Sequence, residues 1–122
     1  ALHGGGLAGE NDHKTPITPC GFVFTNQGKS IYHAGDTALS KEMEILGDHF
    51  SIDLALLPIG GKFTMDAADA LIAADMIKPK MVIPMHYNTF PAIVAEAEKF
   101  ADDIRKKGIK AQVLKPGEKL EL

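Results

Sequence analysis

The spacing of apolar and polar positions divides the chain into short strands and helices. "CGFVFT" (20–25) and "KSIYHAG" (29–35) are β-prone runs on either side of "NQG", a pattern that predicts a hairpin. "LSKEMEILGD" (39–48) predicts a short helix with Ser40 as its N-cap. "DLALLPI" (53–59) is continuously apolar, as a strand buried on both faces would be. Thr64 or Asp66 can cap a helix through "MDAADALIAADMI" (65–77), which Pro79 ends. "KMVIPMH" (80–86) is a further buried strand, and the proline inside it predicts an edge position or a bulge near its end. "PAIVAEAEKFADDIRKKG" (91–108) reads as one helix, with Pro91 in the first turn and Gly108 at the C-terminal cap. Ile93, Ala97, Phe100 and Ile104 share one face of it and predict packing on a sheet. "IKAQVLKPGEKLEL" (109–122) predicts two short strands around a Pro-Gly turn, and the Gly- and Pro-rich residues 4–19 read as an exposed loop.

A hairpin followed by alternating strands and helices predicts an α/β fold, a sheet with helices laid on it. In such layouts functional side chains collect where loops leave the strands. His3, His33, Asp36 and His86 all stand at such ends. Each of His3, Asp36 and His86 closes an apolar run ("AL", "IYHAG", "VIPM"), so all three can point into one mouth. Imidazole and carboxylate are the usual ligands of zinc, manganese or iron at hydrolytic centres, and the two oxygens of Asp36 can bridge a pair of metals. His33 is placed near such a centre to orient Asp36 or touch substrate, with simple packing an equal alternative. Lys62 and Asn88 sit in loops leaving strands toward the same mouth, where they can bind an anionic or carbonyl group if they are not merely solvated. His13 and His49 read as surface residues and Cys20 as a small core residue. The "GGG" run (4–6) lacks phosphate-loop spacing and predicts backbone passing close to the mouth.

Composition narrows the classes. At 122 residues and 45% hydrophobic content the chain can build one real core. A net charge of −3 with no basic stripe argues against nucleic-acid binding. No apolar run reaches the ~20 residues that span a bilayer, and the lone Cys20 precludes an internal disulfide. A cytoplasmic protein with no membrane contact is the expectation. The chain opens on "ALHGGG", without Met and at what reads as the end of a strand. We therefore expect the C-terminal piece of a longer protein, against the plainer alternative of a trimmed tag or leader.

The phrases "YHAGDTAL", "LALLPIGGKFTM" and "MHYNTFP", in this order and spacing, resemble the C-terminal half of the metallo-β-lactamase superfamily. Within it they are most similar to a branch of uncharacterised metal-dependent hydrolases akin to the ascorbate-6-phosphate lactonases. The resemblance implies that residues 1–122 form one half of an αββα sandwich. It implies a dinuclear centre of two divalent ions, zinc or manganese, in the seam between the halves. His3 matches the family's ligand to one metal, Asp36 the bridging aspartate and His86 the ligand to the second. The family's HxHxDH cluster is absent here and belongs to an N-terminal half that this chain lacks. That half is the expected partner, with a small-molecule ester, lactone or phosphoester as substrate and a homo-oligomer as the assembled form. The competing expectation is a non-enzymatic binding or assembly module on the same fold.

Overall fold

In the computed structural model, which describes residues 20–122, the hairpin forms where the turn signal lies. Strand β1 (Phe22–Asn26) runs antiparallel to β2 (Lys29–His33), with Asn26 opposite Lys29. Gln27 (φ 49°) and Gly28 (φ 76°) are both left-handed, as a two-residue hairpin turn requires. The chain continues through α1 (Glu42–His49), β3 (Leu54–Pro58), α2 (Ala67–Ile77) and β4 (Met81–Met85). A 3₁₀ turn (Pro91–Ile93), α3 (Ala97–Lys106) and β5 (Lys110–Ala111) complete it. The sheet order is β1-β2-β3-β4-β5, and every pair after the hairpin is parallel.

That order fixes the layers. Each crossover from β2 onward steps one strand in the same direction, so right-handed connections place all three helices on one face. The core agrees: Met43 of α1, Ala73 and Ile77 of α2, and Phe100 and Ile104 of α3 cluster with Tyr32, Ala55, Leu57 and Val82. Strand alternation sends the intervening residues to the other face. Phe22, His33, Leu56 and Ile83 form one row across it, and Phe24, Ile31, Leu54 and Met81 the next. At its β1 edge this face is open: Phe22 is 53% and Phe24 57% exposed.

The N-terminal ends of the parallel strands are clamped by Asp53. Its buried carboxylate accepts from Ser30 N–H (2.9 Å) and from Lys80 Nζ (2.8 Å), joining the starts of β2, β3 and β4. The Lys80 hydrogen bond, reinforced by the Ser30 amide, holds the carboxyl below its ordinary range. Asp66 caps α2 as expected, accepting from Asp69 N–H at 2.9 Å. Pro84 sits opposite Leu57, past the last residue of β4 that pairs with β5, so its missing N–H faces no neighbouring strand. The edge position read from the sequence therefore exists locally within an inner strand.

Four expectations need correction. The helix read over 91–108 is broken: Val94 is extended (ψ 128°), and Asn88 grips both backbone groups of Ala95, so α3 starts only at Ala97. The pair of terminal strands reduces to β5 alone. Beyond Gln112, Lys115 and Glu118 satisfy each other locally, with Lys115 N–H on the Glu118 carboxylate and Glu118 N–H on the Lys115 carbonyl. Helix α1 begins one residue late, at an N-cap of Lys41, although Ser40 Oγ still accepts from Glu42 N–H at 3.3 Å. Cys20 is exposed ahead of β1 and is no core residue.

Candidate metal centre

Strand β2 ends at His33, and the next three residues turn the chain out of the sheet. Ala34 N–H still bonds the Leu56 carbonyl (3.1 Å), extending the ladder by one residue. Gly35 then adopts φ 68°, and its N–H donates to His33 Nδ1 at 3.1 Å. A side chain at Gly35 would be strained and would press on the Cys20 carbonyl at 2.9 Å. This bend sets Asp36, exposed, beyond the C-terminal end of β2.

His86 arrives from β4 by an equally constrained route. It follows Met85 directly and holds φ 55°, a left-handed conformation that costs a residue other than glycine about 1–3 kcal/mol. The loop leaving β3 presses against it. Ile59 N–H bonds the Met85 carbonyl (3.1 Å), and a Cβ on Gly60 would stand only 2.4 Å from the His86 carbonyl oxygen. Thr37, fully buried, ties the same loop to the β2 side by accepting Met65 N–H on its carbonyl at 2.8 Å.

These constraints bring His86 Nε2 to 3.6 Å from Asp36 Oδ1. That is beyond the usual hydrogen-bond range of about 2.7–3.2 Å. It matches the edge of a tetrahedral ligand shell, which for metal–ligand bonds of about 2.0–2.2 Å is about 3.3–3.6 Å. The other ring nitrogen, His86 Nδ1, is buried and has no hydrogen-bond partner among the described residues. A buried polar atom left unpaired costs about 1–3 kcal/mol. Among the described residues, one histidine thus combines a left-handed backbone and an unpartnered buried ring nitrogen while facing a carboxylate. The donor set and its spacing fit a divalent cation.

Of the residues read from the sequence, Asp36 and His86 are brought together. His3 lies outside the described residues, as do the Gly4–Gly6 run and His13. His33 is half-buried with Nδ1 engaged by Gly35, and among the described residues no third histidine, cysteine or carboxylate joins Asp36 and His86. Lys62 is exposed and left-handed (φ 58°), its Nζ 5.6 Å from the centre of the Phe63 ring. Asn88 is also left-handed (φ 57°), and its carboxamide accepts from Ala95 N–H (2.9 Å) and donates to the Ala95 carbonyl (3.0 Å). Its side chain staples the loop after β4. His49 is exposed, its Nδ1 2.9 Å from the Ile45 carbonyl. Reading the sequence missed Thr37 and Gly60; the only signals were the "GDT" phrase and a glycine at a strand end.

A family model described as the β-lactamase superfamily domain matches residues 6–86, a span that holds both Asp36 and His86. The chain belongs to the β-lactamase superfamily. It is 46% identical over 122 residues to a UPF0173 metal-dependent hydrolase of Carboxydothermus hydrogenoformans, covering all of this chain and 54% of the relative. A UPF0173 metal-dependent hydrolase of Thermus thermophilus is 53% identical over 104 residues, 85% of this chain and 46% of its own length. Among solved structures, a metallo hydrolase of the hyperthermophilic archaeon Ignicoccus hospitalis superposes with a TM-score of 0.77 at 45% identity. It shares 80% of this chain and 43% of its own. The chain spans about half the length of the curated relatives it matches. The superfamily resemblance drawn from the three phrases, and the metallo-β-lactamase fold it implied, are thereby established.

Proposed function

We propose that this chain supplies one side of a metal-dependent hydrolytic centre, with Asp36 and His86 as ligands. The observation that carries the reading is the 3.6 Å approach of two donors held by left-handed His86 and left-handed Gly35. A divalent cation there would supply a water acidified toward neutral pH and a positive charge facing the oxyanion that forms on the substrate. Esters, lactones and phosphoesters all fit that chemistry. The chain's own residues do the positioning: Gly60 admits the His86 loop, Thr37 fixes the Asp36 turn, and His33 steadies Gly35. His33 is in this reading a positioning residue. Lys62, exposed on the loop after β3, is the group that meets an anionic part of the substrate, while Asn88 acts on substrate only through the loop it staples.

Two donors do not complete the shell of zinc or manganese. In our reading His3 and a second half of the sandwich, bearing HxHxDH, provide the rest and make the centre dinuclear. That half would also cover the two open rows beginning at Phe22 and at Phe24, in a cytoplasmic homo-oligomer. The experiment is metal analysis of the full-length protein and two variants. Asp36→Ala should lose bound metal and hydrolysis together; Lys62→Ala should keep its metal and at most bind an anionic substrate more weakly. Equal metal loss in both variants, or none in either, refutes the assignment.

A further inference from the structure

The loops that position the Asp36–His86 pair also carry two phenylalanines which the pair does not need. Phe63 stands at the tip of the loop after β3 and Phe90 in the loop after β4. Each ring is nearly half exposed (46% and 45%), and their centres are 6.3 Å apart at an interplanar angle of 38°. Both are anchored to the site. One foot of the Phe63 loop is Gly60, against the His86 carbonyl; the other is Met65, whose N–H bonds the carbonyl of Thr37 next to Asp36. Phe90 follows His86 by four residues, in a loop closed by Asn88 N–H on the Ile93 carbonyl (2.8 Å) and by the Asn88 staple to Ala95.

The presentation is preformed. Gly61 N–H bonds the Met65 carbonyl (3.0 Å), Phe63 N–H bonds the Gly61 carbonyl (2.6 Å), and Lys62 and Asn88 hold left-handed backbone without being glycine. Loops built at that cost place these two rings at fixed positions. The Lys62 ammonium lies 5.6 Å from the Phe63 ring centre, so the apolar surface has a cation at its margin. Apolar rings, an exposed positive charge beside them and the Asp36–His86 donor pair on one rim together describe a small organic anion with a hydrocarbon part.

We propose that Phe63 and Phe90 form a platform that receives the hydrocarbon part of a small organic anion at the rim of the Asp36–His86 site, with Lys62 facing its negative group. The proposal rests on the hydrolytic reading only for what happens to the bound molecule. Recognition itself belongs to the rings and is measurable without turnover.

The test is calorimetric titration of the full-length protein with phenylacetate and with acetate, without added metal and again with zinc. Phenylacetate should bind about tenfold more tightly, the value of moving one aromatic face from water onto another. Phe63→Ala and Phe90→Ala should each cut that preference to about threefold or less while leaving acetate unchanged, and Phe63→Tyr should retain it. Lys62→Gln should weaken both acids alike. Circular dichroism of each variant checks that it is folded. Equal affinity for the two acids in the native protein overturns the proposal, as does a preference that survives in the double alanine variant. So does a double variant that changes only the sedimentation mass, since the rings would then belong to a protein contact. A preserved preference in a protein that hydrolyses no ester, lactone or phosphoester with metal would uphold the platform and refute the hydrolytic reading.

Discussion

Replacing Gly60 with alanine perturbs the candidate centre without touching a donor atom. The new Cβ would stand 2.4 Å from the His86 carbonyl oxygen and 2.9 Å from Ile93 Cβ, where real contacts essentially never fall below 3.0 Å. The His86 backbone must therefore retreat by at least 0.6 Å, the difference between 3.0 and 2.4 Å. The oxygen belongs to main chain and cannot rotate away as a flexible side chain would. Overpacking of this kind costs about 1–3 kcal/mol. The adjacent Ile59 N–H to Met85 carbonyl bond (3.1 Å) lies in the path of the shift, and losing it adds about 0.5–1.5 kcal/mol. The total is about 2–4 kcal/mol, which for a protein of about 150–250 residues lowers the melting temperature by about 5–15 °C. Metal affinity should fall with it, because displacement of His86 opens the 3.6 Å donor spacing. Differential scanning calorimetry and competitive zinc titration of the full-length protein read the two effects. Gly28→Ala is the control: its φ of 76° is strained for alanine, but nothing lies within 4 Å, so it should cost some stability and leave the metal alone. A Gly60→Ala protein that melts within about 2 °C of the native one and binds zinc as well would refute the close-approach reasoning.

Other consequences are as specific. Asp53 titrates below its ordinary range because Lys80 and the Ser30 amide stabilise its charge, so its contribution is complete above the unfolded carboxylate pKa of about 3.9 and is lost as pH falls through the lower folded value. Thermal unfolding from pH 6 to pH 2 should show Asp53→Asn less stable than the native protein at pH 6 and converging with it in acid; parallel curves would contradict the clamp. Both Asn88→Gly and Asn88→Ala remove the staple to Ala95; glycine adds unfolded-chain entropy, whereas alanine is forced to φ 57° at the larger cost of about 1–3 kcal/mol, so the alanine variant should melt lower. Equal melting temperatures would mean that the left-handed strain there is no larger than the entropy glycine adds to the unfolded chain.

What could be read from the sequence was whatever local chemistry decides. The hairpin followed from "NQG" because two consecutive left-handed residues admit few side chains, and the Asp66 cap followed from a carboxylate placed before an apolar helix. Helix 91–108 failed because its apolar spacing was real but not sufficient: Ile93, Ala97, Phe100 and Ile104 are all buried, yet Ile93 reaches the core from a 3₁₀ turn. The competing force was a tertiary hydrogen bond from Asn88, seven residues before the one it grips, which no periodicity encodes. Cys20 failed for a similar reason, since a small apolar residue before a strand is buried only if something packs over it. Asp36 and His86 were legible because both end apolar runs; their 3.6 Å separation was not, because it depends on Gly60 and Thr37 fastening two loops distant in sequence.

The order of strands explains why the donor pair stands where it does. Parallel strands joined by right-handed helices all end on the same side, so Asp36 after β2 and His86 after β4 leave the sheet at one rim. Between them runs β3, whose outgoing loop must either block the gap or bridge it. Gly60 lets that loop sink against His86, and Met65 fastens its far end to Thr37, so it bridges. The opposite rim carries the Asp53–Lys80 clamp, which fixes the strand starts and hence the relative heights of their ends. The same topology keeps the helices to one face and leaves Phe22 and Phe24 exposed on the other. Stability and the candidate centre therefore meet in the same sheet: the helices pack its one face, the open rows lie on the other, and the donor pair stands at the strand ends between them.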